Sequence, residues 1–178
     1  MLKNWLAILS TVSVVSSCVG PRETDPVRPA SQACALQKYL ADHPGSKPLL
    51  EKDCDPKILE AMRNAFGAGF SPYGRKGDFN RDGQEDFAVI LASDAAPEDH
   101  PGLADTHRWK HKLTVVVFNG SAEGRWDAAF AQDATAPLAC FLDTSKDRQG
   151  KLFFGVFETC EGFAIVPVGR GYRTETFE

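Results

Sequence analysis

The chain carries none of the short motifs that announce a common chemistry. Its 178 residues contain no Gly-x-Ser-x-Gly elbow, no His-Glu-x-x-His helix, no Cys-x-x-Cys pair and no glycine pattern that would cradle phosphate. Gly67-Ala68-Gly69 and Gly169-Arg170-Gly171 are short glycine pairs that read as turns. A basic excess is missing as well. Twenty Lys and Arg face 24 Asp and Glu, for a net charge of -4, and the basic residues are scattered rather than striped. A nucleic-acid binder presents a basic face, so that class is excluded. The apolar stretch 5–15 falls short of the roughly 20 residues a crossing helix needs, which makes a permanent transmembrane span the weaker reading there. Cysteine is scarce, with five in all.

What the amino terminus does hold is the outline of a secretory signal: Lys3, then residues 5–15, then Val15-Ser16-Ser17-Cys18. Those last four residues resemble a bacterial lipobox. The resemblance implies a signal peptide over 1–17 and a lipidated, palmitate-bearing Cys18 as the first residue of the mature chain. Val19 after it, rather than Asp, implies the outer membrane, facing the periplasm. Ordinary cleavage near Ser17 is the alternative. Residues 18–31 carry Pro21, Pro26 and Pro29 among charged and small residues, which predicts a disordered tether reaching on the order of 20 Å. Acylating Cys18 leaves an even set of Cys34, Cys54, Cys140 and Cys160. Three pairings exist, and proximity in sequence favours Cys34 with Cys54 and Cys140 with Cys160. Each bridge would contribute about 3 kcal/mol in the chain-entropy model.

Residues 32–178 suffice for one domain and not two. Two short helices are expected first. Ala33, Leu36 and Leu40 share a helical face that Pro44-Gly45 ends. Asp55 is a good N-cap before Pro56, and Ile58, Leu59, Met62, Ala65 and Phe66 form an apolar stripe that Gly67 stops. Beyond Gly67 the pattern turns to extended runs. The segments 87–92 and 113–118 are continuously apolar, as in buried central strands, and 126–131, 138–142, 152–159, 163–168 and 172–177 follow with short turns between. The expected fold is α+β, an N-terminal pair of short helices packed on a mainly antiparallel sheet with two disulfides.

One segment is rich in oxygen ligands. Asp78, Asn80 and Asp82 alternate, Gly83 allows a sharp turn, and Gln84 and Asp86 follow. Oxygen side chains at alternate positions suit a hard cation. The stretch 77–89 resembles the calcium loop of FG-GAP and VCBS-type repeats, which likewise runs into a strand. The resemblance implies side-chain ligands from Asp78, Asn80, Asp82 and Asp86, with the Gln84 carbonyl as a further one. An EF-hand would need a bidentate Glu at the twelfth position, where Val89 stands. The loop occurs once, so a propeller built of such repeats is not implied. The alternative without an ion is that these side chains cap turns through the backbone.

The functional expectation is a membrane-anchored, non-catalytic lipoprotein with a structural Ca2+, acting on a protein partner in the cell envelope. A periplasmic inhibitor or immunity-type binding protein is one alternative. A small hydrolase with a non-local site, drawing on Asp86, Glu85 or the histidine-rich loop, is another. In that loop His107 and His111 stand four apart near Asp105 and His100, which is a weak metal signal; an exposed loop accounts for it with fewer assumptions.

Overall fold

A computed structural model describes residues 31–144, 151–159, 161–169 and 171–176. The first helix, α1 (Gln32–Asp42), begins where the Ser31 hydroxyl accepts the Cys34 N–H at 3.3 Å. The second, α2 (Pro56–Phe66), starts under Asp55, whose carboxylate accepts the N–H groups of Lys57 and Ile58 at 2.8 and 3.4 Å. It stops at Gly67, whose φ of 108° a residue with a Cβ adopts only under strain. Both helices lie where the caps and stripes place them.

The strands form two antiparallel sheets rather than the single sheet expected. In the first, β3 (Asp86–Ser93) is central. One edge of it pairs with β1 (Ser46–Pro48) and β2 (Gly74–Gly77), and the other with β5 (Trp109–Gly120). Strand β5 in turn carries β6 (Trp126–Ala136) along most of its length and the two-residue β4 (Glu98–Asp99) at its start. A single turn of helix, α3 (Asp105–Arg108), leads into β5. The second sheet is a meander of β7 (Cys140–Asp143), β8 (Leu152–Val156), β9 (Gly162–Val168) and β10 (Gly171–Thr176).

The stretches 87–92 of β3 and, Thr114 apart, 113–118 of β5 are apolar because both of their faces are covered. Ala88, Ile90, Ala92, Leu113, Val115 and Val117 face the main core, which they share with Ile58 and Met62 of α2 and with Cys140, Leu142, Leu152 and Ile165 of the second sheet. Phe87, Leu91, Val116 and Phe118 face the other way, under Ala35, Leu36, Tyr39 and Leu40 of α1. Phe87 and Phe118 stack there at 4.4 Å. The two helices therefore cover opposite faces of one sheet and do not form a pair on one side.

That separation corrects the expected Cys34–Cys54 bridge. Among the described residues no cysteine pair stands at disulfide distance. Cys34 belongs to the helix on one face, while Cys54 is buried in the core on the other, and the sheet lies between. Cys140 is fully buried in that same core, and its expected partner, Cys160, lies outside the described residues. Burial pushes the Cys54 and Cys140 thiols up, away from the reactive thiolate.

Met62 has no exposed surface and anchors α2 against both sheets. Met62→Ala is expected to destabilise the domain by about 2–5 kcal/mol through a cavity the two sheets cannot close, measured as a lowered urea midpoint at unchanged slope.

Candidate functional site

The acidic segment is the connection of the β2–β3 hairpin, entered at Gly77 and left at Asp86, which are register partners. Between them the side chains are knitted to the loop's own backbone. Asp78 accepts the Asp82 N–H at 3.0 Å on one oxygen and the Gly83 N–H at 2.9 Å on the other. The Asn80 amide oxygen also accepts from Asp82 N, at 2.9 Å, and Asp82 accepts from Gln84 N at 2.9 Å. The Asn80 amide nitrogen donates to Asp82 Oδ2 at 2.9 Å. Such bonds wind the chain tightly, and Arg81 and Gly83 take left-handed φ values of 64° and 86° as a result. Asp78, Asn80 and Asp82 are thus gathered on one turn. Gln84 takes part through its N–H.

Asp86 is placed differently. It is 0 % exposed and turned inward. Its Oδ2 accepts the N–H groups of Phe79 and Asn80 at 2.8 and 3.3 Å, and its Oδ1 accepts the Gly120 N–H at 2.9 Å. Burial raises its pKa, and these three backbone bonds, by favouring the ionised form, oppose the rise. The Tyr172 hydroxyl, from β10, donates to Asn119 Oδ1 at 2.6 Å and stands 3.4 Å from Asp86 Oδ2. Burial, and then the Asp86 charge, push the Tyr172 phenol up.

Close approach of the end of β5 makes this possible. A Cβ on Gly120 would fall 2.1 Å from the Glu85 carbonyl oxygen, so only glycine admits the contact. Trp126 Nε1 donates to that same carbonyl at 3.2 Å. On the outer side Gln32 of α1 donates to Glu85 Oε1 at 3.0 Å, and Lys76 lies 3.8 Å from it.

Sequence reasoning located Asp78, Asn80, Asp82, Gln84 and Asp86 but missed Asn119, Gly120 and Tyr172. Asn119 and Gly120 close β5, beyond the stretch 113–118 that reads as strand, and no spacing links Tyr172 to a loop more than 80 residues earlier. The histidine segment is dispersed. His107 binds the Phe157 carbonyl through Nε2 at 2.9 Å, His100 lies beside Glu98, and His111 sits in β5, where burial lowers its pKa. Helix α3 ends at Arg108, so His107 and His111 share no helical face. Among the described residues no group of three or more His, Cys, Asp or Glu side chains is gathered for a metal ion. The Asp78–Asn80–Asp82 turn is a mixed carboxylate and amide set, and all the oxygen donors it offers are hard. Cys18 lies outside the described residues.

Comparison of the chain with protein-family models, with curated proteins and with solved structures returned no match.

Asp86→Ala is expected to cost about 3–5 kcal/mol, because it strands three backbone N–H groups. Tyr172→Phe, which leaves those bonds intact, should cost only about 1 kcal/mol. Urea unfolding of both variants checks the order, and equal losses would overturn it.

Proposed function

We propose that this is an exported lipoprotein, anchored through Cys18 to the outer membrane and facing the periplasm, whose loop 78–86 holds a calcium ion as a structural clamp. Its task is to bind an envelope protein rather than to catalyse. The observation that carries the reading is the gathering of the Asp78, Asn80 and Asp82 oxygens on one hydrogen-bonded turn at the mouth of a central strand. A hard cation would take the place of some of the N–H groups these oxygens accept, and its charge would offset the repulsion between neighbouring carboxylates. Asp78, Asn80 and Asp82 would hold it with the Gln84 carbonyl. Asp86 would contribute only what its three backbone N–H bonds leave free.

A non-catalytic role is supported by the state of Asp86. A general base must reach a substrate proton, and this carboxylate is sealed from solvent and engaged by the backbone. The histidines are scattered, so they supply no alternative centre. Anchoring rests on the lipobox resemblance. Among the described residues no helix is long and apolar enough to cross a membrane.

Calcium at about 100 times its dissociation constant should stabilise the domain by roughly 2.7 kcal/mol, a rise on the order of 10 °C in Tm over the chelated protein. Asp78→Ala should abolish the difference. Identical unfolding with calcium and with chelator, together with no bound calcium by elemental analysis, defeats the clamp.

Metabolic labelling with a fatty acid tests the anchor: the parent chain should take up label and Cys18→Ser should not. An unlabelled parent chain rules the anchor out.

A further inference from the structure

We propose that a cavity between α1 and the first sheet, on the face away from the main core, binds a small organic amine. It shares no residue with the calcium loop. Tyr39 and His43 of α1, Ser46 of β1, Leu91 of β3, Thr114 of β5 and Asp133 of β6 line it, and its volume is about 400 Å³, within the range of small-ligand sites.

The chemistry of the lining selects the ligand. Leu91, 1 % exposed, gives an apolar floor. The Tyr39 and His43 rings stack at 3.9 Å and 11°, and His43 Nδ1 lies 2.8 Å from the Tyr39 carbonyl oxygen. A carbonyl only accepts, so Nδ1 is the donor in that contact. Thr114 Oγ1 donates to Asp133 Oδ1 at 2.8 Å and so fixes that carboxylate. Among the described residues Asp133 has no ion-pair partner within 4.0 Å. Its charge is felt across the space: burial and then Asp133 hold the Tyr39 phenol above its ordinary range.

Among the described residues no lysine or arginine lines the cavity. Lys112 stands two positions along β5 from Thr114, and Lys47 on β1 faces Asp94 at 4.0 Å. The walls therefore offer one carboxylate, together with an imidazole, a phenol, two hydroxyls and the Gln132 amide, whose nitrogen donates to the Asp133 carbonyl at 3.0 Å. A compact ammonium group with an apolar body complements them, with its donors on Asp133 and the hydroxyl oxygens, its charge near the Tyr39 ring and its body on Leu91.

Amide NMR shifts of the full-length chain test this with three probes. Cyclohexylamine hydrochloride should give saturable shifts at Leu91 and Thr114. Cyclohexanol, which has the same ring without the charge, should bind about tenfold more weakly or not at all, and Asp133→Asn should weaken the amine about tenfold while still accepting from Thr114. Added salt should weaken it too. Absence of saturation by the amine, equal binding of cyclohexanol, preference for methyl glucoside, or an unchanged Asp133→Asn variant would each overturn the proposal. Should Asp133→Asn fail to fold, the amine and alcohol compared on the unaltered chain decide the matter.

Discussion

A single buried carboxylate ties together three parts of the chain that are far apart in sequence. Asp86 accepts N–H groups from the hairpin loop at Phe79 and Asn80 and from the end of β5 at Gly120, with Tyr172 of the second sheet alongside. An ionised carboxylate removed from water is tolerable only when its lone pairs are met by donors, and the folded backbone supplies them. The dependence runs both ways. The three N–H groups have Asp86 as their acceptor, so the loop keeps its path only while β3, which carries Asp86, keeps its register with β5. The second sheet reaches the same point through Tyr172 and Asn119.

Register and burial reinforce this. Because β3 and β5 are packed on both faces, a slip of one residue would drive Phe87, Leu91 and Phe118 into the space that Ala88, Ile90 and Val117 occupy. Their bulk does not fit there. The core thus fixes the sheet, the sheet fixes Asp86, and Asp86 fixes the loop in which Asp78, Asn80 and Asp82 meet.

Much of this was legible in the sequence, for physical reasons that differ by element. Helix α2 announced itself through Asp55, Pro56 and Gly67, since caps act locally. Strands β3 and β5 were plain because burial on two faces leaves an unbroken apolar run. Short β1, β2 and β4 were missed, since sequences such as Ser-Lys-Pro and Gly-Arg-Lys-Gly are strands only by virtue of their neighbours. Strand β6 runs to Ala136 where alternation suggested an end at residue 131, because pairing with β5 carries it onward. Cys34 and Cys54 looked like partners because they are close along the chain, yet which face of a sheet a helix will cover is not written in its own residues. The acidic loop was legible as a cluster, but its division into three outward side chains and one inward clamp depends on Gly120 and Tyr172.

Strand β6 leaves its outer edge without a pairing strand among the described residues. Open edges invite a second chain to add on, a hazard that grows when many copies are tethered to one surface and local concentration is high. The register break at Val117/Phe118 interrupts the ladder beside β6, and Asp127, Gln132 and Asp133 place polar groups along it. Bulges and polar side chains along an edge disfavour such pairing. The same irregular, acidic strand that walls the small cavity under α1 would in this way also keep the domain solitary.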